Sequence, residues 1–356
     1  MRLLPGLAWV AAWLATTVAA AHIVMGGKTL RQLTAEADLV LRARVVASGE
    51  RVGISSEAGG TSRPVVEAEA LEVLAGAFDA PRVRFAQHGH GVATFSPGEE
   101  VLLFLRRIER SRELRGMAET GAVEWVSLQE HEEEHPLLPE TREPRLAAVR
   151  AYAAASRADG EARDDSLRAA TRALLLSGDD DLAASAVRDL VLAPDAPLLA
   201  AADAPRYEAL LADPDASLGV RAALLVELER RGIVESRGFW MDWLSDAAPQ
   251  ADRVGALRAS RATRDPVVRA RVRVLVGDPD PDVAAAAALA VGADPEAVGA
   301  LTRALGRPEQ PVRYAAIRAL GHMALPEARE ALAGAAAEHP DTATRRRARA
   351  ELDKSR

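Results

Sequence analysis

The chain has 356 residues, too many for one ordinary folding unit of roughly 100 to 200 residues, and its 49% hydrophobic content supplies apolar mass for two cores. Lys and Arg total 45 against 52 Asp and Glu, a net charge of −7, which argues against broad binding along a phosphate backbone and removes nucleic acid as a partner. With no cysteine there are no disulfides, thiolate metal sites or cysteine nucleophiles, and with no asparagine there is no N-glycosylation sequon.

The first element is an address. Arg2 is followed by an almost uncharged run ending in Ala19, Ala20 and Ala21, the pattern of a cleaved secretory signal peptide over residues 1–21. The expected mature chain begins at His22, is exported to the periplasm or beyond the cell, and has no membrane span left. Residues 29–36 predict a short lead-in helix. From there to residue 128, β-branched runs at 39–46, 65–74, 83–85 and 101–105 are separated by turn signals at Gly59-Gly60, Gly76, Gly89, Gly91 and Pro97-Gly98. Several short strands at that spacing predict a small antiparallel β-barrel or sandwich over residues 22–130.

The strings TAEADLVLRARV at 34–45, LEVLAG at 71–76 and PGEEVLLFLRR at 97–107 resemble a little-characterised bacterial secreted domain. The resemblance implies an OB-like barrel. It carries no catalytic residue, and Arg42-Ala43 stand where the pattern has a glycine.

Residues 131–144, rich in Glu and Pro, predict an interdomain linker. Beyond it, residues 145–356 turn to Ala, Leu and Arg at helical spacing, cut at intervals by Asp-Pro, Gly or Pro. The block DPDPDVAAAAALAVGADPEAVGAL at 278–301 recurs as RPEQPVRYAAIRALGHMALPEAREAL at 307–332, with an earlier copy from Asp213 and a degenerate one at the C-terminus. Asp before Pro supplies an N-cap acceptor and a pre-set first turn; Val312, Ala316 and Leu320 fall on one face; Gly321 is expected to end its helix in the left-handed region. These repeats resemble the HEAT repeat family in its short, PBS-lyase-like form. The resemblance implies an α-solenoid that works as a binding scaffold.

Chemical motifs are weaker than the repeats. His131-Glu132-Glu133-Glu134-His135 has the HExxH spacing for zinc, but Pro136 restricts His135 away from helical geometry and the segment lacks an apolar face. His22, freed by cleavage, with His88 and His90 could supply nitrogen ligands to copper. Gly26-Gly27-Lys28-Thr29 lacks the first glycine of a phosphate-binding loop, and the alternation Asp278, Asp280, Asp282 lacks both the turn glycine and the closing acid of a calcium loop. The Arg345, Arg346, Arg347 and Arg349 run reads as a solvated capping helix. No nucleophile–base–acid set is present, so the expectation is a non-enzymatic exported scaffold with no cofactor, the metal-binding arrangements standing as the alternative. Its partner is expected to be a protein or peptide held on the solenoid, with Trp240, Trp243, Arg313 and Arg318 as candidate contacts.

Overall fold

The computed structural model describes residues 28–54, 61–87, 95–110, 123–128 and 137–354. His22, His88, His90, His131, Glu132 and His135 lie outside the described residues, as does the segment 1–21. The chain divides into two compact units, Met1–Leu199 and Ala200–Arg356.

The first unit opens with helix α1 (Leu30–Glu36), set by a reciprocal capping box. The Gln32 amide donates to Thr29 Oγ1 at 3.2 Å, and the Thr29 amide donates to Gln32 Oε1 at 3.0 Å. Strands β1 (Leu39–Ile54), β2 (Thr61–Ala75), β3 (Arg82–Ala86), β4 (Glu100–Arg107) and β5 (Trp125–Ser127) follow. Their pairing runs β1-β2-β3-β5-β4 and returns to β1, so each strand has two hydrogen-bonded neighbours. The sheet is mixed, which corrects the antiparallel expectation: β5 runs parallel to β3, Phe85 opposite Trp125, and antiparallel to β4. Its interior follows the period of two in β1, where Leu39, Leu41, Ala43 and Val45 meet Phe85, Leu103, Leu105 and Trp125. Arg42 and Arg44 point outward from the same strand to Glu100.

Helices α2 (Arg142–Ala155), α3 (Gly160–Leu175) and α4 (Asp180–Leu192) belong to this first unit. Helix α2 thus begins at Arg142, inside the stretch expected as linker, and the boundary between compact units falls nearly sixty residues later, after Leu199. The physical reason is polar. Asp189 of α4 is fully buried and accepts from Thr29 Oγ1 at 2.6 Å and from Arg31 Nε at 3.1 Å, with the Tyr152 hydroxyl of α2 at 3.5 Å. Arg150 of α2 also grips Glu72 of β2 through two nitrogens. Helices from the helical part of the sequence thus belong to the same compact unit as the sheet.

The second unit contains α5 (Ala204–Ala212), α6 (Leu218–Arg230), α7 (Arg237–Trp243), α8 (Gln250–Ala259), α9 (Pro266–Leu275), α10 (Pro281–Ala290), α11 (Val298–Leu305), α12 (Gln310–Gly321), α13 (Pro326–Glu338) and α14 (Thr342–Lys354). Successive members of α6, α8, α10, α12 and α14 pack on one another as a row, with α7, α9, α11 and α13 packed along one side of it. Aspartates start several helices as their sequence positions require: Asp265 accepts from the amides of Val267 and Val268, and Asp280 from those of Asp282 and Val283. Gly321 departs from expectation. It is the last residue of α12 and is absent from the positive-φ glycines, whereas Gly292, just after α10, has φ +56°. A Cβ on Gly321 would press on the Glu351 side chain at 3.2 Å, so its smallness serves the approach of α12 to α14 rather than a turn.

Candidate functional site

The repeat places one arginine in register along the row. Arg221, Arg253, Arg313 and Arg345 each stand three residues after the first residue of α6, α8, α12 and α14. Arg313 shows what the position does. Its Nη1 donates to the carbonyls of Arg307 at 2.9 Å and Pro308 at 2.6 Å, tying down the turn before its own helix. Its Nη2 donates to Asp341 Oδ2 at 3.0 Å and its Nε to Thr344 Oγ1 at 2.9 Å, reaching the start of the next helix in the row. The Thr344 hydroxyl, with the amides of Ala343 and Thr344 and the Arg313 guanidinium, holds the Asp341 carboxyl well below the usual carboxylate range.

The neighbours repeat the scheme in part. Arg345 Nη1 donates to the carbonyls of His339 at 2.5 Å and Pro340 at 3.1 Å, Arg221 donates to the carbonyl of Leu211 at 3.3 Å, and Arg253 pairs with Asp278 at 2.9 Å. In α10 the position holds Ala284. There Arg307, from the turn before α12, donates to the carbonyls of Asp278 at 3.0 Å and Pro279 at 3.4 Å instead. Asp278 accepts the Asp280 amide in the turn, Asp280 caps α10, and Asp282 accepts from Gln250 Nε2.

Of the four candidate contact residues, three are interior. Trp240 is 0% exposed and Trp243 8%. The two rings meet edge to face at 5.6 Å, and the Trp240 Nε1 donates to Glu229 Oε2 at 3.1 Å. Spacing on a seven-residue helix cannot reveal that both indoles turn into the packing around Glu229 and Arg221. Arg313 is likewise buried by the hydrogen bonds above, and holds the repeat together. Arg318 alone of the four is exposed.

Arg318 belongs to a set that motif reading missed. It stands eight residues after the start of α12, as Arg258 does in α8 and Leu289 in α10; one turn earlier lie Val254, Ala285, Tyr314 and, in α14, Arg346. Arg258, Arg318 and Arg346 are exposed, while Val254, Leu289 and Tyr314 are part-exposed between them. None of these three arginines has an ion-pair partner among the described residues. The Arg347 guanidinium sits 5.7 Å from the Tyr314 ring centroid. Acids of this row stand at both helix ends: Asp282 in the first turn of α10 accepts from Gln250 Nε2, while Glu227 and Glu229 lie in the last turn of α6 and Glu351 and Asp353 in that of α14. Counting each helix from its first residue would have exposed this column.

Among the described residues no group of three or more His, Asp and Glu side chains could hold a metal ion, and no helix is long and apolar enough to cross a membrane.

A family model for HEAT repeats matches residues 268–353, from α9 to α14. Over that segment the chain is similar to HEAT repeats. The match covers the part of the chain in which Arg313 and Arg345 repeat their carbonyl contacts. No curated protein matches the chain. Among solved structures, human deoxyhypusine hydroxylase in complex with glycerol is similar at 15% identity and a TM-score of 0.31, covering 61% of this chain and 92% of that one.

Proposed function

We propose that this protein is an exported, non-enzymatic scaffold that holds a protein or peptide on its HEAT-repeat unit, and that the small sheet domain is an OB-like barrel. The observation that carries the reading is the row α6, α8, α10, α12 and α14. Its helices present equivalent residues side by side, an array suited to an extended partner and needing no reactive group. Export rests on the apolar run over residues 1–21 and its small-residue end. The barrel reading is supported by the cyclic strand pairing and by one buried apolar cluster to which all five strands contribute.

Two measurements on native material test the proposal. Amino-terminal sequencing of the purified protein should start near His22, and recovery of an intact Met1 on soluble cytosolic protein would contradict export. Chemical crosslinking before purification should yield a discrete heteromeric adduct, with metal below one equivalent per chain. Stoichiometric zinc or copper with no adduct would replace the scaffold by a metal protein.

A further inference from the structure

The partner-facing column has a chemistry. We infer that the face carrying Arg258, Leu289, Tyr314, Arg318 and Arg346 binds an extended acidic peptide segment; this rests on the scaffold reading and adds the class of partner.

Three observations carry it. Arg258, Arg318 and Arg346 are exposed and lack an ion-pair partner among the described residues, although the same unit pairs Arg253, Arg273 and Arg313 with aspartates. An unpaired guanidinium keeps its planar fork open to a carboxylate, which it can grip with two parallel hydrogen bonds. Second, the positions between the cations are apolar or aromatic: Leu289 lies between Arg258 and Arg318 in the row, and Val254 and Tyr314 stand one turn away. A bare polyanion has no use for those side chains. Third, the spacing suits a strand. Packed helices lie about 8 to 10 Å apart, so two steps from α8 to α12 span roughly 16 to 20 Å. An extended chain rising about 3.3 Å per residue crosses that distance in about six residues, and residues i and i+6 point to the same side. The expected segment therefore has Asp or Glu six apart with aliphatic side chains at i+2 and i+4.

The probe is a fluorescein-labelled peptide, Gly-Glu-Gly-Leu-Gly-Leu-Gly-Glu-Gly, titrated with the full-length protein by anisotropy. Saturable binding is expected, at least tenfold weaker for the version with Gln in place of both Glu. Arg258→Glu and Arg318→Glu should each weaken binding tenfold or more with unchanged circular dichroism and melting. Arg303→Glu and Arg329→Glu, exposed on α11 and α13 away from the row, should leave it unchanged. Absence of saturable binding overturns the acidic-segment inference, as does equal binding of the Gln peptide. Equal weakening by the α11 and α13 reversals, or displacement by a single-stranded oligonucleotide with higher affinity, also overturns it in favour of unspecific charge attraction. Each of these results leaves the scaffold reading standing, because that reading fails only on the crosslinking and metal measurements.

Discussion

At the scale of single residues, Asp189 is a carboxyl carried fully out of water. Burial pushes its carboxyl up, against the hydrogen bonds from Thr29 and Arg31 that pull it down. A carboxyl raised in the folded state takes up its proton there before it does in the unfolded chain. Its contribution to stability therefore grows as pH falls through the folded-state value and levels off below the ordinary aspartate value of about 3.9. Asp189→Asn is insensitive to pH at this site, so the melting temperature of the native protein relative to the variant should rise between pH 7 and pH 4; a flat difference would contradict the burial effect. Removing the acceptor altogether, in Asp189→Ala, leaves Thr29 and Arg31 without their carboxylate and should lower stability by ~3 kcal/mol in denaturant titration. Glycines give a second contrast. Gly76 has φ +85°, and a Cβ there would collide with the Asp38 carbonyl, whereas Gly98 has φ +90° with open space around it. Gly98→Ala should cost about 1 to 2 kcal/mol for the left-handed backbone alone. Gly76→Ala should cost clearly more by the same titration, since backbone must move as well.

At the scale of elements, the strands and the repeat were legible because both rest on periodicity. The runs at 39–46, 65–74, 83–85 and 101–105 fall inside β1 to β4, and Val312, Ala316 and Leu320 are buried on one face of α12. What escaped depends on long-range partners. Nothing local in Trp125, Val126 and Ser127 shows that this three-residue strand pairs parallel with β3 and closes the cycle of neighbours. Arg313 and Arg318 look alike in sequence, five residues apart on one helix. Only the approach of Asp341 and Thr344 from α14 distinguishes the buried anchor from the exposed cation. The same approach yields a prediction. Arg313→Ala should release α14, raising amide hydrogen exchange across Thr342–Lys354 while α8 and α10 keep their protection; uniform exchange throughout the unit would show that the anchor is not local. Asp280→Ala removes an N-cap that accepts two amides and should cost ~1 kcal/mol by thermal or denaturant unfolding.

At the scale of the whole molecule, Asp189 ties α4 to Thr29 and Arg31 of the lead-in helix and Arg150 ties α2 to strand β2, and the division into compact units falls after Leu199 rather than at residues 131–144. A fragment of residues 200–356 should fold alone, with a helical circular dichroism spectrum and a cooperative melt. A fragment beginning at Arg145 should carry additional helices that have lost their partners Thr29, Arg31 and Glu72, and they should be digested by protease back towards residue 200. The central claim concerns the row α6, α8, α10, α12 and α14 as the surface that holds a protein partner. The most direct test is photo-crosslinking in the producing cells, with a benzophenone amino acid placed at Arg318 on α12 or at Arg329 on α13. The account predicts one discrete adduct of higher mass from position 318, absent from position 329. An adduct from 329 and none from 318 would contradict it.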